Sequence, residues 1–298
     1  MSYHVPVLLK ESVQALVNTP DGLYVDATFG GGGHSKAILS TLSNKGKLIA
    51  FDQDKDAPFE NITQPNFYAV RDNFATITSA LHSLNIKLVD GIFADLGVSS
   101  YQLDTAERGF SYRFDAPLDM RMNTSQELSA YTVINTYTQE NLYTLFKLYG
   151  EVHNPKNLTD CIIQARKLNP IKTTFQFLEA IKKATPKYKE YSYYAQVFQA
   201  VRIEVNQELK HLESFLQQSI TLLKPTGKLV ILTYHSLEDR IVKNFMQYGN
   251  IEGTPHKDMY GNLIRPLLPV KKPILPTPQE IEVNPRARSA KLRIAEKI

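Results

Sequence analysis

Cysteine is almost missing from this chain: Cys161 stands alone among 298 residues. A lone cysteine excludes an internal disulfide and points to a reducing, cytoplasmic setting. It also leaves little from which to build a zinc site, since the seven histidines show no paired ligand spacing, and no metal is expected. Long apolar runs are missing too. No stretch approaches the roughly 20 apolar residues needed to cross a bilayer. The opening Met1-Ser-Tyr-His-Val-Pro6 lacks the basic-then-apolar order of a signal peptide, so no membrane partner is expected. Internal repeats and low-complexity segments are absent. What is present is ordinary in bulk: 43% hydrophobic and 21% charged residues, the balance of a soluble globular protein of one or two domains. Net charge is only +4, but it is unevenly placed. Residues 253–298 hold nine Lys/Arg against four Asp/Glu, so this tail is cationic and the rest nearly neutral. A basic end on a neutral body is a weak pointer to nucleic acid.

The most informative stretch is Gly22-Leu-Tyr-Val-Asp-Ala-Thr-Phe-Gly30-Gly31-Gly32-Gly33-His34-Ser35. Leu23 to Phe29 reads as a buried strand, the glycines as a turn, and Ser35 to Leu42 as a helix. Four consecutive glycines add unfolded-state entropy that folding must overcome. They make sense where a ligand touches the backbone, with the helix N-terminus turned toward a carboxylate or phosphate. A second apolar strand, Lys47 to Phe51, ends in Asp52 about 20 residues beyond the glycines, where an acid would receive ribose hydroxyls.

Along the chain, Glu11 to Val17 reads as a helix, Asn66 to Val70 as a third strand, and Gly91 to Asp95 as a fourth. Strands alternating with helices imply an α/β fold, a doubly wound parallel sheet of Rossmann type. From about Asp104 to Asn206 the rhythm is helical only. Leu142, Leu145, Phe146 and Tyr149 share one face, and Phe175, Leu178 and Ile181 form a shorter stripe. The expected division is therefore a discontinuous sheet domain, 1–103 and 207–298, carrying a helical substrate-recognition insertion, 104–206. The sheet pattern resumes with a helix through Leu209, Leu212, Leu216, Ile220 and Leu223, stopped by Lys224-Pro-Thr-Gly227. Lys228 to Thr233 is a fifth strand, residues 253–280 an extended proline-rich loop, and Ala290 to Ala295 a half-buried last strand.

In an open α/β sheet, ligands bind beyond the carboxyl ends of the strands. Strands one, two, four and five bring the glycine turn, Asp52, Asp95-Leu-Gly97 and Tyr234-His-Ser236 to that edge. This is the expected site, with cofactor at the first two and chemistry at the last two.

Several longer motifs then carry a resemblance. They are His4-x-Pro-Val-Leu-Leu9, Asp26-x-Thr-Phe-Gly-x-Gly-Gly-His-Ser35, Asp95-Leu-Gly-Val-Ser-Ser100 with Gln102, and Glu107-Arg-Gly-Phe-Ser111. Further on come Pro117-Leu-Asp-Met-Arg-Met122, Phe198-Gln-Ala-Val-Arg-Ile203, His235-Ser-Leu-Glu-Asp-Arg240 and Asn284-Pro-Arg-Ala-Arg-Ser289. Nearly end to end, the chain resembles the bacterial ribosomal RNA small subunit methyltransferase H family. The resemblance implies a class I S-adenosylmethionine-dependent methyltransferase sheet. It implies transfer from S-adenosyl-L-methionine to the exocyclic N4 of a cytidine in the decoding region of 16S rRNA, with the small ribosomal subunit as partner. Cofactor contacts carried over by position fall on Gly32, Gly33, His34, Asp52, Phe74, Asp95 and Gln102. Asp52, Asp95 and the glycines are read there from the residues alone as well; Phe74 and Gln102 would otherwise be taken for packing and surface.

An exocyclic cytosine amine is a poor nucleophile because its lone pair is delocalised into the ring. Its methylation calls for acceptors on the N–H groups and in-line placement. Asp95 is the expected polarising group, with cofactor positioning as its alternative role. The base must leave its stack, so phosphate and base contacts are expected from Asp119, Arg121, Arg202, Asn206, His235, Arg240, Arg286 and Arg288. For Arg202 and Arg240 an internal salt bridge or cap is an equal alternative. His235-Ser236 reads as a helix start, with Ser236 the cap and Asp239 at its third position, rather than as a hydrolytic triad. The chain departs from the family pattern at Gln196 and Val197, where a basic residue and a threonine are usual, and at Val152, where an acid is usual. An NAD-dependent dehydrogenase and a non-catalytic assembly factor are the rival readings. A DNA amino-methyltransferase lacks support, as no Pro-Pro-Tyr-type motif follows the fourth strand. A homodimer is compatible with the sequence, which does not fix the oligomeric state.

Overall fold

The structure, a computed structural model, describes residues 6–298; His4 and Val5 of the apolar lead-in lie outside the described residues. The chain forms two compact units: one runs to Gly97 and resumes over Leu209–Ile298, and the other is Val98–Glu208.

The first unit is built on seven strands: β1 (Leu23–Asp26), β2 (Lys47–Phe51), β3 (Phe67–Val70), β4 (Val89–Asp95), β5 (Leu223–Thr233), β6 (Leu267–Pro269) and β7 (Lys291–Lys297). Their order across the sheet is β3-β2-β1-β4-β5-β7-β6. Neighbours from β3 to β5 are parallel, whereas β7 runs antiparallel to both β5 and β6. The α/β doubly wound expectation holds, with an antiparallel pair closing one side. Burial along the central strands is nearly continuous, and successive side chains alternate between the two covered faces. Val25, Ile49, Ile92, Leu229 and Ile231 pack on one face with Leu212, Phe215, Leu216, Val242 and Phe245. Their sequence neighbours Tyr24, Leu48, Ala50, Phe93, Val230 and Leu232 pack on the other with Leu16, Ile38 and Leu39. The chain turns back on itself between β1 and β4, because sequence runs outward from β1 to β3 in one direction and from β4 to β5 in the other. That reversal opens a crevice beyond the strand ends.

Local expectations fail in three places in this unit. The helix stops at Leu222, next to the expected signal, but Lys224–Gly227 lies inside β5 rather than in a turn before it, and the register against β4 jumps there from Val89↔Leu223 to Gly91↔Lys228. The proline-rich stretch 253–280 is not wholly loop: it contributes β6 and the start of a helix, Pro278–Val283. A three-residue strand ending in proline lies below what periodicity can detect, and Pro269 is tolerated because β6 is an edge. The cap of helix Ser236–Tyr248 is His235, not Ser236. Asp239 is drawn to the neighbouring strand, where Lys291 Nζ at 2.8 Å and Arg293 Nε at 2.6 Å donate to its carboxylate. Residues two apart on a strand share a face, so β7 offers both cations together.

The second unit is helical, with Ala130–Thr136, Gln139–Leu148, Pro155–Leu168, Thr174–Ile181 and Glu190–Asn206 as its main helices. Leu142, Leu145 and Phe146 enter its core as expected, with Tyr149 packed against it. The Phe175 stripe is out of phase. Thr173 caps the helix, and Thr174, Phe177 and Ile181 are buried while Phe175 is exposed. Val152 and Val197 both lie in this core, which gives the two departures from the family pattern a packing role. Tyr193 is buried with its hydroxyl 2.9 Å from Asn154 Oδ1, whereas Tyr191 is exposed.

Candidate cofactor and catalytic site

The glycine turn begins where β1 ends. Asp26, fully buried, accepts the Ser35 hydroxyl at 2.6 Å and the Thr28 N–H at 3.1 Å. Burial pushes its carboxyl up to about 6 against these hydrogen bonds. The strand end and the first turn of helix Gly33–Thr41 are thereby tied together. Gly30 and Gly32 have φ of 54° and 78°, a region that penalises any side chain. Gly33 is required for another reason, because a Cβ there would lie 2.3 Å from Pro6. A Cβ on Gly31, by contrast, would meet nothing within 4 Å, so the turn presents open backbone.

Asp52 stands at the end of β2 facing that turn. Its carboxylate accepts the Gly30 N–H and the Asp54 N–H, each at 2.8 Å. Burial raises it to about 6, with those N–H groups pulling the other way. Each carboxylate oxygen has capacity for a further donor, which suits a pair of hydroxyls. Phe74 follows β3 in a 3-10 turn, half-buried, its ring edge-on to Phe215 at 5.1 Å.

Asp95 ends β4. Its N–H donates to the Thr28 hydroxyl at 2.5 Å, joining the β4 end to the β1 end. One carboxylate oxygen, Oδ1, accepts the Tyr234 hydroxyl at 2.6 Å, and the other, Oδ2, lies 3.5 Å from His34 Nδ1. His34 is buried, its Nε2 is 3.1 Å from the Val7 carbonyl, and its ring packs on Phe93 at 4.6 Å. Burial pulls the imidazole below its ordinary value. Tyr234 is held well above the ordinary phenol value by burial, then by the charge of Asp95 and the bond to it. It therefore stays protonated and donates. Asp26, Thr28 and Tyr234 lie in stretches the sequence places at this edge, but none of the three has an expected role there. Tyr234 had a usable signal, being the first residue past β5, whose register pairs Leu232 with Asp95. A pocket of about 270 Å³ opens beside it, lined by Thr233, Tyr234, His235, Ser236 and Lys291 among others.

Of the remaining expected residues, His235 and Arg240 belong to helix Ser236–Tyr248 and its cap, with His235 Nε2 3.0 Å from Glu238 Oε1 and Arg240 exposed. Arg286 and Arg288 sit in the 3-10 turn Pro285–Ser289, Arg288 exposed. Gln102 lies in the second unit, where it and Ser99 form a reciprocal capping box on helix Ser100–Asp104. In the same unit Arg121 grips Asp119 through Nε and Nη2, its Nη1 reaching the Thr124 and Gln126 carbonyls. Arg202 makes a two-pronged pair with Glu208 at 2.8 and 2.9 Å. Asn206 departs most from expectation. It is buried, its Oδ1 accepts the Met122 N–H, and its Nδ2 donates to the Met120 and Arg202 carbonyls. An amide so committed braces its own unit and has nothing to offer RNA.

The strand order, with its crevice and its antiparallel closing pair, is that of a doubly wound α/β sheet, the architecture expected of a class I S-adenosylmethionine-dependent methyltransferase. The glycine turn and Asp52 fit that cofactor, by the open backbone at Gly31 and the acceptor capacity at the β2 end. Over residues 1–298 the chain matches the model of the MraW methylase family, and it belongs to that family. It is 54% identical to the ribosomal RNA small subunit methyltransferase H of Amoebophilus asiaticus, over 99% of this chain and 96% of that protein. It is 52% identical to the protein of the same description from Christiangramia forsetii, over 100% and 99%. Among the described residues no helix is long and apolar enough to cross a membrane.

Proposed function

We propose that this protein methylates the exocyclic N4 of a cytidine in the decoding region of 16S rRNA, acting on the small ribosomal subunit in the cytoplasm. The observation that carries the reading is Asp95: a carboxylate at the β4 end, oriented by the Tyr234 hydroxyl at 2.6 Å and tied through its own N–H to the glycine-turn strand. Bound S-adenosylmethionine supplies an electrophilic methyl group on a sulfonium. Asp52 holds the ribose hydroxyls, the Gly32–Gly33 backbone and His34 border the cofactor, and Phe74 flanks the purine. Gln102 and Asp95 complete the cofactor contacts. Asp95 accepts an N–H of the target amine, drawing its lone pair out of the ring and holding it in line. The extruded base occupies the pocket beside Tyr234 and His235. Arg240, Arg286 and Arg288 contact phosphates. Asp119, Arg121, Arg202 and Asn206 act by stiffening the second unit, which recognises the RNA.

The test uses small subunits from cells lacking this protein, incubated with it and labelled S-adenosylmethionine. Label is expected in N4-methylated cytidine by mass spectrometry of the nucleosides. Label on adenine, on a ring carbon or on protein sinks the proposal.

A further inference from the structure

We propose that His34 acts through Asp95 as a positioning residue, and that the two together take up the proton which methylation of the amine releases. This rests on the N4-amine reading. The geometry comes from atoms that hydrogen-bond in only one sense. The Val7 carbonyl can only accept, so His34 Nε2, 3.1 Å away, carries a hydrogen. A neutral His34 then turns the lone pair of Nδ1 toward Asp95 Oδ2, at 3.5 Å. Two acceptors facing one another at that distance leave a place for one proton, which neither partner holds alone. Tyr234 fixes the other oxygen of the same carboxylate, so Asp95 cannot rotate away from His34 without breaking a short hydrogen bond.

The surroundings favour an empty proton place at rest. Phe93 covers the His34 ring, and burial opposes its positive charge, while the nearby Asp26 carboxyl favours it. Asp26 is itself held by Ser35 and Thr28 and pushed up to about 6. From the β5 side, Tyr234 faces Asp95, with Glu238 and Glu280 adding negative field around that phenol. In the transfer, the amine lone pair forms the new N–C bond. The S–C bond breaks with its electrons staying on sulfur, and the N–H bond breaks with its electrons staying on nitrogen. The proton passes to Asp95 Oδ2 and is shared with His34 Nδ1. A nitrogen that has gained a methyl while still holding both protons is strongly acidic, so a weakly basic pair suffices. The pair titrates as one unit rather than as two residues.

Two measurements test this. In the cofactor-free wild-type protein, ¹⁵N imidazole shifts followed over pH are expected to show His34 with hydrogen on Nε2 and none on Nδ1 at neutral pH, protonating below the ordinary histidine value. Hydrogen on Nδ1 at pH 7 overturns the proposal without reference to activity. Single-turnover methyl transfer against pH is the second. His34→Gln keeps an N–H for Val7 and loses the titrating nitrogen. Its rate at pH 7.5 is expected to fall about tenfold or more, within the reach of acid–base catalysis, and its acid limb to move down toward the carboxylate range. Tyr234→Phe removes a donor from the charged carboxylate, and its acid limb is expected to move up. Shifts of the same sign in both variants, or an unmoved limb in His34→Gln, reject it. Mass spectrometry of the nucleosides in these reactions reports separately on the amine: label elsewhere rejects the N4 reading while the imidazole titration still stands or falls alone.

Discussion

The two units differ in what their buried polar groups meet. In the helical unit several are spent on the backbone: Asn206 on Met120, Met122 and Arg202, Arg108 on the Arg121 and Met122 carbonyls, Thr174 on Phe114 and Ala116. At the strand ends of the sheet unit, buried acids take backbone N–H groups too, and Asp95 also meets His34 and the Tyr234 hydroxyl. Asp26, Asp52, Asp95, His34 and Tyr234 gather there, with two carboxyls raised to about 6. The first pattern stabilises a shape. The second holds ionisable groups under tension, as sites that do chemistry do. One region should therefore break in stability, the other in rate or affinity.

The largest separation is expected at Asp95. Asp95→Asn should slow single-turnover methyl transfer by about 10²- to 10³-fold, with a urea midpoint close to wild type. An Asp95→Asn protein that binds cofactor and transfers methyl at the normal rate removes Asp95 from the chemistry. Asn206→Ala is its mirror, stranding the Met122 N–H and the Met120 carbonyl. A stability loss of about 2–4 kcal/mol is expected in equilibrium unfolding, and a loss under ~0.5 kcal/mol would deny the brace.

Between these in kind lies the pH dependence. Asp26 has a folded value near 6 and an ordinary value of 3.8, so the folded state binds more protons between them. Stability from this group is greatest below pH 3.8 and is lost as pH rises to about 6, on the order of 2–3 kcal/mol in total. Asp26→Asn should flatten that part of the stability profile; an unchanged slope between pH 4 and 6 would contradict it. Smaller still is Val197→Thr, which introduces the threonine that the family resemblance leads one to expect. A hydroxyl placed in that core should cost about 1 kcal/mol, read as a shift in urea midpoint with methyl transfer unaltered. Smallest, Arg288→Ala should reduce the slope of log affinity for rRNA against log salt by about one; an unchanged slope removes that phosphate contact.

Most of the sheet was legible because its signal is local. Apolar runs that stop at a turn former, such as Lys47–Phe51 before Asp52 or the strand before Asp95, carry their own ends. The same locality made the glycine turn visible, though not its division of labour: Gly33 is required by Pro6, 27 residues earlier in the chain. What escaped depends on pairing. Tyr234 meets Asp95 only because β5 lies beside β4. Asn206 reads as an RNA contact until Met120 and Met122 are brought to it from more than 80 positions away. Helix phase can also mislead. Phe175 and Phe177 are equally apolar, and the cap at Thr173 decides which one turns inward.

The position of β7 has a consequence for biosynthesis. It is translated after β6 yet sits between β6 and β5. While the ribosome is still making the intervening segment, β6 has no strand beside it and β5 shows a bare edge to solvent. Asp239 meanwhile waits for Lys291 and Arg293. A nascent chain stalled before Lys291 would be an acid-bearing half-sheet with unpaired strand edges, a natural client for chaperones.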